Sequence, residues 1–383
     1  MVIRKLKPEE NVHRKLMSSI CFSRHYQSED RLAWLEKPEE HAEGYENAWG
    51  AFDSDGKMLS AMIVDTAHIN INSKPVKVGQ IIAVTSLPEA RNVGGVRKIF
   101  ETIHPIMKDD GMVFSLLYPF SFDYYRKFGY EHNYVKYRAD FPIDGLKRYP
   151  YPTGMRVCNS WEDLAKIYDK FIQDKNMAIL RTQKQWKEIL KGDPHKTKDF
   201  VYIHPDAYIM YQAQNRDKTG LMHIKEIAWT SISGLEAIFG FMHGLRSEYS
   251  IASWHLPGGP DIFGVVNDPF SVKMNVESLV MTRVLNIPAA LELCIAPPTK
   301  GSVVISVTYH DIYQVSWEDG KVKAEKTKLP ADIETDIETL AQFTTGFMTP
   351  AQALYRPGVK IHSKMEELTA LFPKKQQYLM EFF

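Results

Sequence analysis

The sequence predicts a mixed α/β protein made of two or three compact units. Its 383 residues are about two to three times the length of a usual single domain. Strand-like and helix-like patterns alternate along the chain, and no low-complexity tract interrupts them. Apolar residues make up 44% and charged residues 25%, which are ordinary values for globular proteins and argue against disordered, fibrous and membrane classes.

The first unit, residues 1–150, is expected to combine helices with paired strands. Strand patterns flank the polar segments at 53–56 and 72–75, which predicts two hairpins. The other predicted elements are a helix over 8–24, a helix over 93–107, a buried strand over 112–118, a short helix over 122–128 and a last strand over 134–141.

A boundary is expected at 148–154, where proline and glycine interrupt every pattern. The second unit, residues 151–284, repeats the order of elements of the first, which suggests a degenerate second copy. The third unit, residues 285–383, is expected to hold two strands over 301–309 and 311–317 and two helices over 332–344 and 364–372.

Charge and cysteine content point to a cytoplasmic protein without nucleic-acid or membrane partners. Lys+Arg and Asp+Glu both number 47, and no long block of one sign occurs. The charged N-terminus is followed by no apolar run, so neither a secretory signal nor a membrane span is expected. Three widely spaced cysteines suit a reducing compartment, and the histidines lack the compact spacing of zinc ligands, so no metal is expected.

The segment from Val84 to Arg97 contains the most informative pattern. A strand ending in Val84-Thr85-Ser86 passes through a loop into a helix that starts near Gly94-Gly95. Such a turn gathers unpaired backbone N–H groups at the positive end of a helix dipole, which suits a pyrophosphate. The two glycines remove Cβ atoms that would hold a phosphate away, and two arginines add charged donors. The residues predicted to bind the cofactor are Val84, Thr85, Ser86, Arg91, Asn92, Val93, Gly94, Gly95, Val96 and Arg97.

Other interpretations of this segment are weaker. Paired glycines also occur in plain strand-to-helix connections, since short glycine motifs have a high false-positive rate. The pattern lacks the Gly-x-Gly-x-x-Gly of dinucleotide-binding folds and the Gly-Lys-Ser/Thr of a P-loop. Hydride transfer and nucleotide hydrolysis are therefore disfavoured.

Residues 91–96 resemble the acetyl-coenzyme A loop of the GNAT N-acetyltransferases, Arg/Gln-x-x-Gly-x-Gly/Ala, with Val96 in place of the last small residue. Tyr124–Tyr130 resembles the Tyr-x-x-x-Gly-Phe/Tyr segment of the same family. The closer resemblance is to the bacterial "enhanced intracellular survival" (Eis) acetyltransferases. It rests on four segments, 86–91, 125–130, 286–291 and the terminal Phe383.

This resemblance implies two tandem GNAT-like mixed-sheet domains followed by a sterol-carrier-like α+β domain. In that family only the first domain binds acetyl-CoA, and the subunits form homohexamers. The implied reaction moves acetyl from acetyl-CoA to a primary amine of a small molecule, aminoglycoside-like or polyamine, or to a lysine side chain. A near-neutral net charge is compatible with such self-association.

The resemblance also suggests roles for four residues. Tyr125 would be the general acid, with Tyr124 as the competing candidate, because a protonated phenol can donate to a departing thiolate. The α-carboxylate of Phe383 would be the base, although chain ends more commonly fray. Trp34 would form an aromatic wall of the amine pocket and Glu381 would add negative charge there. Alternatively, Trp34 is a core residue and Glu381 is exposed to solvent.

A second function remains open from the sequence. The C-terminal domain could carry the function as a lipid- or small-molecule-binding carrier, with the acetyltransferase domain vestigial. The basic glycine turn around Arg91 favours the enzyme, since a carrier has no need of it.

Overall fold

A computed structural model describes residues 1–22, 34, 36–37, 44–190, 199–216, 219–258 and 262–381. Within these residues the fold is mixed α/β, as the sequence predicts. The helices are α1 (Asn11–Cys21), α2 (Gly95–Asp109), α3 (Phe122–Arg126), α4 (Trp161–Phe171), α5 (Gln183–Ile189), α6 (Ile232–Gly244), α7 (Ile262–Val265), α8 (Ile287–Glu292), α9 (Ile337–Thr344), α10 (Pro350–Ala353) and α11 (Met365–Leu371). The strands are β1 (Val2–Lys5), β2 (Ala48–Phe52), β3 (Met58–Ile71), β4 (Lys74–Ser86), β5 (Phe114–Leu117), β6 (Glu131–Pro142), β7 (Arg156–Val157), β8 (Asp199–His204), β9 (Ala207–Arg216), β10 (Thr219–Trp229), β11 (Tyr249–Leu256), β12 (Lys273–Val284), β13 (Gly301–Val307), β14 (Ile312–Glu318), β15 (Lys321–Lys326), β16 (Ile333–Thr335) and β17 (Lys360–Ile361).

The first two units share one sheet of twelve described strands. Its order is β1-β2-β3-β4-β5-β12-β6-β11-β10-β9-β8-β7. The last strand of the second unit, β12, pairs antiparallel with both β5 and β6. The last strand of the first unit, β6, lies between β12 and β11. Each unit therefore inserts its final strand into the other, and backbone hydrogen bonds run continuously across the junction.

The long hairpin of β3 and β4 differs from the sequence prediction. The sequence indicates two short strands in place of β3 and a four-residue turn at 72–75. In the structure β3 is continuous and the turn is Asn72-Ser73, with φ angles of +51° and +62°. Positive φ at both central residues defines a type I′ turn, whose twist matches the strands that it joins. Pro75 is tolerated inside β4 because β5 pairs only with residues 78–81 of that strand.

The third unit folds around a second sheet of five described strands, in the order β15-β14-β13-β16-β17. The predicted helix over 332–344 is in fact β16 followed by α9. Ile333 and Thr335 are both buried, and β16 pairs with β13 in parallel. The Asp336 side chain then accepts a hydrogen bond from Thr339 N at 2.6 Å and caps the start of α9. Side chains of this unit share a continuous apolar core with β3, β4 and β5.

A buried asparagine cluster joins the three units. Asn70 donates from Nδ2 to the carbonyl oxygens of Ile172 and Lys175, at 2.8 and 3.0 Å. Asn176 Nδ2 donates to Thr345 O of the third unit at 2.8 Å. Because a buried amide is costly without partners, these bonds fix how the units meet.

We expect a fragment of residues 1–150 to lack cooperative thermal unfolding. Both sheet neighbours of β6, β11 and β12, lie beyond residue 150, so the fragment leaves β6 without a ladder. Circular dichroism on heating measures this. The matched control is the same fragment joined by a flexible linker to residues 273–284, which should regain a sigmoidal transition; a sigmoidal transition of the bare fragment would contradict the account.

Candidate active site

A cleft opens where β4 and β5 stop pairing. The two strands are parallel and pair from Val78–Phe114 to Ile81–Leu117. β5 ends there, whereas β4 continues to Ser86. Beyond the last pair, Ala83 has a φ of +52° at a bulge against β3. The bulge bends β4 away from its neighbour, so that beyond Ile81 β4 has no strand partner on that side among the described residues.

The cleft has a volume of about 500 Å³. Its lining residues are Cys21, Phe22, Val84, Thr85, Ser86, Arg91, Asn92, Val96, Phe120 and Tyr124. Six of the ten predicted cofactor-binding residues are among them. Val93 and Gly94, in the turn before α2, and Gly95 and Arg97, in the first turn of α2, are not among them.

The turn presents an uncapped helix N-terminus. Asn92 and Gly94 have φ angles of +68° and +84°, and α2 begins at Gly95. The N-cap residue Gly94 offers no side chain, so the first-turn N–H groups of α2 have no capping acceptor from it. Arg91 and Arg97 are exposed beside the turn. Orphan amides, a helix dipole and two guanidinium groups together favour an anion at this point.

The two glycines of the turn act differently. A Cβ on Gly94 would face open space, so only its left-handed backbone demands glycine. A Cβ on Gly95 would lie 2.5 Å from Ser60 Oγ. The absence of a side chain at Gly95 therefore lets α2 pack onto β3, a packing role that the sequence did not reveal.

The second unit has the same arrangement of elements with its turn closed. β10 and β11 are parallel, and β10 leads into α6 as β4 leads into α2. Here, however, Ser231 Oγ accepts from Gly234 N at 3.1 Å and donates to Asp206 Oδ2 at 3.0 Å. The capping hydroxyl satisfies one orphan amide, and the carboxylate repels a phosphate. The described turn of the second unit is thus unsuited to an anion.

The two candidate acids lie side by side on α3. Tyr124 lines the cleft, and Tyr125 lies behind it with only 2% of its surface exposed. Their ring centroids are 5.2 Å apart in an edge-to-face arrangement. Burial raises the pKa of Tyr125 above its usual value, with further contributions from neighbouring tyrosines, and burial raises the pKa of Tyr124 as well. Both phenols therefore carry a proton at neutral pH.

The C-terminal segment reaches the open end of the cleft strands. Tyr118 directly follows β5, and its hydroxyl donates to the carbonyl oxygen of Glu381 at 2.6 Å. The Glu381 carboxylate accepts from Arg181 Nε at 2.6 Å, so it is paired within the protein. Phe383 lies two residues further along, outside the described residues.

Trp34 is half-buried, and most of the segment around it lies outside the described residues.

The sequence did not predict Cys21, Phe22 and Phe120 in the cleft wall. Phe120 is 69% exposed, with its ring 5.1 Å from that of Tyr124. Its position between β5 and α3 is the only signal that could have indicated it.

Among the described residues, no three His, Cys, Asp or Glu side chains gather as metal ligands would. None of the helices in this part of the chain has the length and apolar character needed to cross a membrane.

Comparison with known domains identifies the class of fold. Residues 2–133 and 177–284 each match a family described as an acetyltransferase (GNAT) domain. Residues 287–380 match a family described as a sterol carrier protein domain. No curated protein matches the sequence.

Solved structures share the full-length fold at low sequence identity. A GCN5-related N-acetyltransferase from Anabaena variabilis is 17% identical, with 100% of each chain covered and a TM-score of 0.86. Eis1 from Mycobacterium abscessus is 18% identical, with 100% of each chain covered and a TM-score of 0.82. A GCN5-related N-acetyltransferase from Kribbella flavida is 17% identical over 100% of this chain and 98% of that chain, with a TM-score of 0.83.

These matches define a tandem acetyltransferase fold with a sterol carrier domain at its C-terminal end. The chain thus contains two GNAT acetyltransferase domains and a sterol carrier protein domain, and it shares its full-length fold with Eis1 from Mycobacterium abscessus.

We expect Gly95→Ala to lower the free energy of unfolding by about 1–3 kcal/mol, because its methyl group would overlap Ser60 Oγ. Urea denaturation measures the change. Combining it with Ser60→Ala should recover part of the loss, since the nearest overlapping atom is removed. Equal stability of the single variant and the natural protein would show that α2 does not pack this closely.

Proposed function

We propose that this protein transfers an acetyl group from acetyl-CoA to a primary amine of a small molecule, aminoglycoside-like or polyamine, or to a lysine side chain. The observation that carries the proposal is the uncapped N-terminus of α2 beside the parting of β4 and β5. Acetyl transfer needs a bound thioester, a polarised carbonyl and a proton for the leaving thiolate. We propose a group in or next to the cleft for each.

The turn would hold the pyrophosphate of the cofactor. The first-turn amides of α2 supply hydrogen bonds, and Arg91 and Arg97 supply charge. The extended arm would then follow Val84–Ser86, whose backbone has no strand partner on the cleft side. Backbone N–H groups there would stabilise the negative charge that develops on the thioester oxygen.

Tyr125 is proposed as the proton donor to the thiolate, with Tyr124 as the alternative. A phenol whose pKa is raised by burial keeps its proton at neutral pH, which is what a general acid needs. Tyr124 has the more direct access, because it lines the cleft and Tyr125 lies one ring behind it. Phenylalanine substitutions at each position separate the two, since only loss of the donor should lower kcat strongly.

The terminal carboxylate, carried in this sequence by Phe383, is proposed as the base that accepts the proton of the ammonium substrate. The contact between Tyr118 and Glu381 supports this, because it holds the chain two residues earlier at the end of β5. A carboxylate partly shielded from water binds a proton more readily than one in bulk solvent. Trp34 is proposed as an aromatic wall of the amine pocket. Glu381 was expected to add charge to that pocket, but its carboxylate is bound to Arg181.

Several broader expectations stay proposals. We propose unit limits of 1–150, 151–284 and 285–383, a homohexameric assembly and a cytoplasmic location. The assembly rests on the resemblance to the Eis family alone.

Acetyl-CoA should raise the melting temperature of the protein by about 3 °C or more at saturating concentration. Gly94→Glu should abolish this shift, because a carboxylate would face the open space where the pyrophosphate is expected. The matched control is Gly320→Glu in the third unit. Gly320 has a φ of +76° and open surroundings, so Gly320→Glu introduces similar backbone strain far from the cleft. The increase in melting temperature caused by acetyl-CoA should persist in that variant. No shift in the natural protein would favour the lipid-carrier function.

Adding two residues after Phe383 should lower kcat about 100-fold and leave the KM for acetyl-CoA nearly unchanged. The extension moves the carboxylate by about 7 Å while the cofactor turn stays intact. Steady-state kinetics of thiol release measure both constants. The same dipeptide placed before Met1 serves as the control, and an unchanged kcat in the C-terminal extension would exclude the carboxylate as the base.

A further inference from the structure

The core of the second unit contains a buried charge cluster. Arg181 donates from both terminal nitrogens to the Glu226 carboxylate, at 2.8 and 2.5 Å. Each side chain is only 4% exposed. The guanidinium also lies over the rings of Tyr168 and Trp186, at 4.0 and 4.7 Å from their centroids. Packing of this kind allows the guanidinium a single orientation.

Two residues of the C-terminal segment complete this cluster. Tyr378 is 1% exposed, and its hydroxyl donates to Glu226 Oε2 at 2.9 Å. Glu381 accepts from Arg181 Nε at 2.6 Å. We call Arg181 and Glu226 the tail socket, and residues 373–381 the tail. The tail backbone is also held, since Tyr378 N donates to Asn176 O at 2.9 Å.

The hydrogen bonds of Arg181 divide between Glu226 of the second unit and Glu381 of the tail. Glu226 alone neutralises the charge of Arg181 and occupies its two terminal nitrogens. The Nε donor has no acceptor from Glu226, and a buried N–H group without an acceptor is destabilising. Glu381 satisfies it with a charge-assisted hydrogen bond.

The direction of the tail links this cluster to the cleft. While its carboxylate lies in the tail socket, the Glu381 carbonyl oxygen accepts from Tyr118, directly after β5. One residue is thus bound by the second unit through its side chain and by the first unit through its backbone. Glu381 is thereby fixed next to the end of β5.

We propose that the second acetyltransferase domain, whose own turn is closed by Ser231 and Asp206, holds the C-terminal end of the chain for catalysis in the first. Arg181 and Glu381 are positioning residues in this account. They touch neither cofactor nor acceptor, and they set where the terminal carboxylate lies. The proposal rests on the proposed acetyl transfer for its catalytic consequence, whereas docking of the tail is independent of it.

Substitutions of Glu381 test the proposal with little risk to folding, because Glu381 lies at the end of the tail and its side chain is 17% exposed. Glu381→Ala should lower kcat about tenfold to 100-fold with the KM for acetyl-CoA within about twofold, since the cofactor turn is untouched. Glu381→Gln keeps an acceptor for Arg181 Nε and should recover part of kcat. Glu367→Ala removes an exposed carboxylate of the same unit and should change neither constant.

A second measurement reports on docking without any enzyme activity. Carboxypeptidase should release terminal residues from Glu381→Ala about tenfold faster than from the natural protein, and Glu381→Gln should be intermediate. Release at the natural rate from Glu381→Ala would overturn the tail socket. Faster release with an unchanged kcat would overturn its catalytic role and leave docking as a purely structural contact. If the natural protein acetylates no amine, the release rates still decide whether the tail is docked.

Discussion

The parting of β4 from β5 is the constraint on which the rest of the structure depends. Paired strands would satisfy each other's backbone groups and leave no room between them, whereas the bulge at Ala83 separates them and exposes the edge of β4. The close packing of Gly95 on Ser60 then brings the start of α2 to the same edge. An unpaired strand edge and an uncapped helix end together suit an extended ligand with an anionic head.

The first two units differ in the residue at the N-cap of the helix that follows the overhanging strand. Both units have a parallel strand pair, an overhanging strand and a helix that follows it. In one the helix N-cap is a glycine in the left-handed conformation, and in the other it is Ser231 backed by Asp206. The two units share a fold, but the N-terminus of α6 is capped and that of α2 is not. A domain whose helix turn is closed to an anion still provides a rigid surface, and Tyr378 and Arg181 are buried where the C-terminal segment packs on it.

The sequence predicted features that depend on neighbouring residues. The turn at 91–97 was predicted because its glycines and arginines form a local pattern. The helix start after Ser121 was predicted from a local pattern as well, and in the structure the Ser121 side chain caps this helix. The exchange of β6 and β12 was missed, because pairing partners more than one hundred residues apart leave no local pattern. The Arg181 cluster was missed for the same reason. Which of Tyr124 and Tyr125 faces the cleft depends on how α3 is rotated about its axis. The sequence does not determine that rotation.

Amide hydrogen exchange at residues 92–96, with and without acetyl-CoA, tests the central claim most directly. If the α2 N-terminus holds the pyrophosphate, exchange in this segment should slow markedly on binding, while the corresponding turn at 231–235 should not respond. Unchanged exchange at 92–96 under saturating acetyl-CoA, or slowing confined to 231–235, would contradict the account.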